Sequence, residues 1–260
     1  MSWDERVPVR GRAWLGAAAV ATAVMALIGW TFWQRWSFLG ASPYPFGIDG
    51  YYYPIQLRSV LADGALFYPS APLALWLMVP LAALSDPIAG AKLGAALGTS
   101  LIIAPMYGLG RLIGGSAIAG ILSAVLVATS ATSFYLCTEF VKSGVGLTVA
   151  ALFLWSLART LSEPSRVWAT ITLLSSIAVF LTHKLAVVLA LSAAFPAALL
   201  VYRSGRLPGS RRTIAVAGAA LLAGLLAAGV IAPERFPSPG DVRLLVDLFS
   251  GQWDWTLPVL

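Results

Sequence analysis

Long apolar runs separated by short polar breaks fill most of this chain, and they are too continuous for alternating strands. At 1.5 Å per helical residue, about 20 residues cross the roughly 30 Å of a bilayer's hydrocarbon. Seven stretches approach that length: 14–34, 88–110, 116–136, 143–160, 167–182, 185–202 and 213–232. The run from Trp14 has the length of a span rather than of a cleaved signal core, so it is expected as a retained first helix. No Gly or Pro marks a turn at His183-Lys184, but an unbroken helix over 167–202 would be about 54 Å long, so a break is expected there. Leu73–Leu84 is also apolar, yet it is short, contains Pro80 and lies between Pro72 and Pro87. It is expected as a juxtamembrane or re-entrant helix. Runs such as AIAGILSAVLVATSA over 117–131 lack the alternation of barrel strands. The predicted fold class is all-α: a polytopic membrane protein of about seven transmembrane helices plus a juxtamembrane outer-loop helix.

Charge placement orients these spans. With Leu73–Leu84 left in the outer interface, one side collects Arg6, Arg10, Arg12, Arg111, Arg159, Arg166, Arg203, Arg206, Arg211 and Arg212 against Asp4, Glu5 and Glu163. The other side carries Arg35, Arg58, Lys92, Lys142, Lys184, Arg235 and Arg243 and the remaining acids. The arginine excess marks the cytoplasmic side, so the N-terminus is expected inside and the first loop, 36–87, outside. Residues 1–232 then form a transmembrane module, and 233–260 the start of an outer-face loop that is expected to be truncated.

Composition agrees: 59% of the 260 residues are apolar, 11% are charged, and the mean hydropathy is +0.83. A soluble domain carries about 25% charge. The single cysteine, Cys137, excludes an internal disulfide, and the single histidine, His183, excludes a His-rich metal site. The net charge of +6 does not point to nucleic acid, because the arginines are scattered between apolar runs. Gly108, Gly110, Gly114, Gly115 and Gly120 read as a helix-packing signal rather than as chemistry.

Candidate chemistry gathers on the outer side. The stretch Gly47–Trp76, GIDGYYYPIQLRSVLADGALFYPSAPLALW, carries Asp49, the tyrosines Tyr51, Tyr52 and Tyr53, and Arg58. The later spans add Lys92, Glu139, Lys142, His183 and Lys184 at the same level. Ionisable groups near hydrocarbon are expensive unless paired or wet, so such an accumulation reads as a site. Lysines would hold a lipid phosphate, while a carboxylate would take a proton from an acceptor or hold a divalent metal. Asp49 and Glu139 are the catalytic candidates. Lys92, Lys142, Lys184 and Arg58 are candidates for the donor phosphate, and Tyr51, Tyr52, Tyr53 and His183 for sugar or acceptor contact. Plainer readings stand beside these: Asp49 as a turn residue capping the next helix, Glu139 paired with Lys142, and the lysines reaching to the interface. The tyrosines would then be interfacial belt residues.

These residues resemble the N-terminal conserved module of the GT-C glycosyltransferases that use polyprenyl-phosphate sugars, such as protein mannosyltransferases and aminoarabinose transferases. Asp49 in GIDGYYYP looks like the family's acidic residue of the first outer loop, and PLALW over 72–76 like its P-P-L-x-x-W segment. Lys92 looks like the basic residue early in its second span, GRLIG over 110–114 like its G-R-x-x-G turn, and Glu139 like the acid of its second outer loop. Gly50 stands where the family often has a second acid, and Ser70 where it has a charge. The resemblance implies sugar transfer from a polyprenyl-phosphate-linked donor to an acceptor on the outer face of a bacterial inner or cell membrane. It leaves a divalent cofactor open, with Mg or Mn held by Asp49 and Glu139. Besides donor and membrane lipid, a partner chain supplying the missing C-terminal part is expected. The alternatives are a non-catalytic lipid-carrier binding or flipping protein, a structural subunit of a membrane complex, and a solute transporter. The last would need ionisable groups near mid-span, where these helices have almost none.

Overall fold

The structure, a computed structural model, describes residues 9–47, 49–163 and 165–203, together with 227, 229–231 and 243. Every regular element among them is an α-helix. In chain order these are α1 (Val9–Gly40), α2 (Tyr52–Asp63), α3 (Leu73–Leu84), α4 (Pro87–Ser100) and α5 (Ile103–Gly114). Then follow α6 (Ala117–Ala128), α7 (Ala131–Thr138), α8 (Val141–Ser162), α9 (Arg166–Thr182) and α10 (Lys184–Arg203).

The helix ends have local causes. Asp86 precedes Pro87 and accepts hydrogen bonds from the Ile88 and Ala89 N–H groups at 2.8 and 3.1 Å, satisfying donors that the first turn of α4 leaves orphaned. Ser116, Ser130 and Ser165 do the same for α6, α7 and α9, each accepting from the N–H three residues on at 3.2 Å. Gly64, at a φ of 70°, closes α2. The expected break between 182 and 185 is present: His183 is extended, at φ −165° and ψ 142°, and ends α9.

Among the described residues, three helical stretches are long and apolar enough to cross a membrane: Gly16–Leu39, Pro87–Gly114, which runs through α4 and α5, and Val141–Ser162. A fourth is available if α6 and α7, bent by 49° at the intervening break, act as one broken span. The predicted stretches 167–182 and 185–202 are helical as α9, whose 17 residues are shorter than a full span, and as α10, which is 20 residues long. The predicted stretch 213–232 lies almost wholly outside the described residues. Leu73–Leu84 is a separate helix, α3, as the prolines imply, and it buries Ala74, Leu75, Met78 and Ala82.

Among the described residues, three apolar clusters hold the bundle. The first joins Leu39 of α1, Tyr53 and Leu57 of α2, Leu75 and Met78 of α3, Ala95 of α4, Cys137 of α7 and Val141 and Val145 of α8. In the second, Val24, Ile102, Ile103 and Ala124 meet Ala151 of α8. In the third, Ala150 and Phe153 of α8 meet Val179, Ala186 and Val187. Hydroxyl pairs add directional links between α8 and α9: Ser156 to Ser175 at 3.3 Å and Thr160 to Thr172 at 2.9 Å. Replacing the α4 cap, Asp86→Ala, is expected to lower stability by about 1 kcal/mol, while Asp86→Asn keeps most of it. Thermal unfolding of the purified protein checks this, and equal midpoints for Ala and wild type would refute the cap's role.

Candidate functional site

The chain after α1 is drawn across the ends of α4, α7 and α8. The Gly50 N–H donates to the Gly47 carbonyl at 3.0 Å, making a tight turn with Asp49 in its second half, and the Asp49 carbonyl accepts from the Tyr52 N–H at 3.0 Å as α2 begins. Gly47 has a φ of 87°, which side chains rarely tolerate. A Cβ there would also run into the Thr138 carbonyl oxygen and stand 3.1 Å from Glu139 Oε2. The turn therefore sits directly on the end of α7. This brings Asp49 and Glu139, 90 positions apart in sequence, to neighbouring places.

Lysine placement fixes the rest. Lys92 is buried in α4 and its Nζ donates to the Ser42 carbonyl at 2.5 Å, holding the loop that leads to Asp49. Lys142, in the first turn of α8, donates through Nζ to Ser70 Oγ at 3.1 Å and Tyr52 Oη at 3.3 Å. The same ammonium lies 4.4 Å from the centre of the Tyr52 ring, a cation–π distance. Its backbone N–H donates to Tyr53 Oη at 3.2 Å. Burial pushes the Tyr53 phenol well above its ordinary range, opposed by that N–H and reinforced by the Asp49 carboxylate. Tyr53 thus stays protonated at neutral pH, an anchor and no base.

Among the residues singled out by sequence, Asp49, Glu139, Lys92, Lys142, Tyr52 and Tyr53 come together. His183 and Lys184 lie at the same end, where His183 packs beside Gly146, about one turn along α8 from Lys142. His183 Nδ1 accepts from the Leu185 N–H at 3.2 Å and so caps α10. Arg58 and Tyr51 are exposed, and the buried face of α2 carries Tyr53, Pro54, Gln56 and Leu57 instead. Arg58 is thus not brought into the group with the lysines. The Lys142 ammonium donates to Tyr52 and Ser70, ties that the sequence reading did not foresee.

Three contributors were not singled out. Gln56 is fully buried, donating to Tyr52 Oη at 2.9 Å and the Tyr68 carbonyl at 3.0 Å and accepting from the Tyr68 N–H at 3.1 Å. Its spacing of three from Tyr53, inside the apolar stripe of α2, was the available signal. Ser70 is visible only through its tertiary partner. Arg35 is buried in α1 on one stripe with Thr31 and Leu39 at steps of four, a pattern that was legible.

Between these elements lies a crevice lined by Leu39, Phe46, Gly50, Tyr53, Lys92 and Cys137, among others, with about 20 Å³ open to the centre of a water molecule. That holds about one water. Among the described residues no three His, Cys, Asp or Glu side chains converge into a metal-binding set, so any ion here would rest on Asp49 and Glu139 alone. Comparisons with protein-family models, curated proteins and solved structures find no match. The class defined by fold and composition is an all-helical protein with several helices long and apolar enough to span a membrane.

Two substitutions probe this geometry. Gly47→Ala is expected to cost about 1–3 kcal/mol in backbone strain and to lift the turn off α7. Gln56→Leu strands the Tyr68 backbone groups and is expected to cost about 2–4 kcal/mol. Both are read from unfolding midpoints, and midpoints like wild type would show that these contacts do not hold the loop.

Proposed function

We propose that this chain is a GT-C-like membrane glycosyltransferase module, which moves a sugar from a polyprenyl-phosphate-linked donor to an acceptor hydroxyl or amine. On this reading the seven predicted stretches cross the membrane, the N-terminus is cytoplasmic, and Asp49 faces the outside of a bacterial cell membrane. The observation that carries the reading is the seating of the Asp49 turn on Glu139, at the end of the bundle that also holds Lys92 and Lys142. Two carboxylates beside cations suit a reaction that removes a proton at one place and leaves a phosphate at another.

In the step proposed, the acceptor oxygen or nitrogen attacks the anomeric carbon, the bond from that carbon to the phosphate oxygen breaks, and the acceptor proton passes to Asp49. Glu139 stabilises positive charge developing on the sugar. Lys92 and Lys142, with Lys184 further along the rim, balance the charge of the departing lipid phosphate. A divalent ion, where used, would be held by Asp49 and Glu139 with donor phosphate oxygens. Tyr52 offers a ring face for the sugar once Lys142 turns from it to the phosphate.

A second reading, a non-catalytic lipid-carrier binding protein, uses the same Lys92 and Lys142 with no proton transfer at Asp49. Native mass spectrometry of the purified protein separates the outcomes, looking for a co-purifying polyprenyl phosphate in wild type and in Lys92→Ala, Lys142→Ala and Lys184→Ala. The carrier is expected in wild type and depleted in the variants, and its absence from wild type would sink both readings. Asp49→Asn is expected to lower transfer from a radiolabelled polyprenyl-phosphate sugar by about 100-fold or more while lipid binding stays within twofold. Equal transfer by the Asn variant removes Asp49 from the chemistry.

A further inference from the structure

The guanidinium of Arg35 is sealed inside the bundle at 1% exposure, yet only one of its nitrogens has a partner. Nη2 donates to Ser133 Oγ at 2.6 Å, while Nε and Nη1 meet no acceptor. A buried charged donor left unmatched is among the costlier defects a protein interior can carry. Ser133 is neutral and cannot compensate the charge. Cys137, one turn further along α7, is the titratable group that acts on Arg35, and it also lies against Thr99. Such an unmatched group calls for an explanation in a ligand or ion.

Its position supplies one. Leu39, one turn beyond Arg35 on α1, and Cys137, one turn beyond Ser133 on α7, both line the crevice, so Arg35 lies beneath its floor. Lys92 lines the opposite wall, and its ammonium is also met by a neutral group, the Ser42 carbonyl. Asp86 acts on Lys92, but the Asp86 Oδ1 atom already caps α4. One crevice thus has an arginine below and a lysine at the side, and among the described residues no carboxylate forms an ion pair with either.

We propose that Arg35, with Lys92, forms a deep anion site that takes a phosphate group between α1 and α7. Resting on the glycosyltransferase reading above, this identifies the innermost phosphate ligand as a residue of the first helix rather than Lys142, whose ammonium is held by Tyr52 and Ser70. Guanidinium N–H groups suit the several oxygens of a phosphate better than those of any neutral acceptor. The crevice has room for about one water, so a phosphate enters only if α7 gives way. The 49° bend between α6 and α7 is the hinge available for that movement. Met25, Trp30 and Trp33 are exposed along α1, an apolar surface on which the tail of a lipid phosphate can lie.

The test is thermal unfolding of the full chain in phosphate-free buffer, titrated with farnesyl phosphate, farnesol or inorganic phosphate. Wild type is expected to be stabilised by farnesyl phosphate and not by farnesol. Arg35→Gln should weaken the apparent affinity more than tenfold, and Lys92→Met should weaken it as well. A response to inorganic phosphate at equal concentration, lost in Arg35→Gln, would support the anion site while assigning it to free phosphate. Unchanged affinity in Arg35→Gln, with only a lower starting midpoint, would make Arg35 a helix-packing residue and overturn the proposal while leaving the donor-binding reading in place. Should wild type respond to no phosphate compound, both fall. If the Gln variant does not fold, Arg35→Lys decides: it keeps the charge but loses the guanidinium donors, so binding should weaken several-fold, and wild-type affinity would refute the site.

Discussion

Close approach along α8 is the constraint on which the bundle depends. In an apolar solvent helices gain little from burying more hydrocarbon, so their association rests on van der Waals fit and on hydrogen bonds. Gly144 allows Thr99 of α4 and Leu136 of α7 against one side of α8, where a Cβ would stand 2.6 Å from Thr99 Cγ2. Gly146 takes Ala186 and His183 on another side. Because α8 contributes to all three apolar clusters, the two ends of the described chain are joined through it. Its first turn also carries Lys142, so the same helix that organises packing sets the height of the candidate site.

Polar groups at that end are arranged as a clasp rather than an open basin. Gln56, Tyr52, Ser70 and Lys142 form one connected network, and Lys92 ties the Ser42 carbonyl to α4. Connected buried hydrogen bonds fix a loop that has little apolar surface of its own. The Asp49 turn is pinned from both flanks, by Lys92 before it and by Tyr53 after it, while Gly47 lets it rest on the end of α7. Rigid placement of a carboxylate by its surroundings is what proton transfer at a fixed atom requires. The small crevice means that substrate entry and loop movement are coupled in any catalytic reading.

The positive charges divide into two kinds. At the other end of α8, Arg159 pairs with Glu163 at 2.7 Å, a partly to largely exposed pair of small energetic weight. Arg35 and Lys92 lie inside, matched only by a hydroxyl and a carbonyl. A folded bundle has no packing reason to keep a cation there, so the interior charges point to function more strongly than the surface arginines.

Period and length were legible from the sequence alone. Apolar runs long enough for lipid favoured helices, the prolines around Leu73–Leu84 isolated α3, and the break expected at His183 is present. The stripe positions of Gln56 and Arg35 were equally present in the helical spacing, yet their meaning depended on which face turned inward. That choice is made by neighbours outside the helix itself: Tyr68 for Gln56, Ser133 for Arg35, and the end of α7 for the Asp49 turn. Local periodicity fixes where helices run because backbone hydrogen bonds close within four residues. Only the tertiary structure decided which charges share one crevice, because side-chain contacts across 50 to 98 residues depend on how the helices pack.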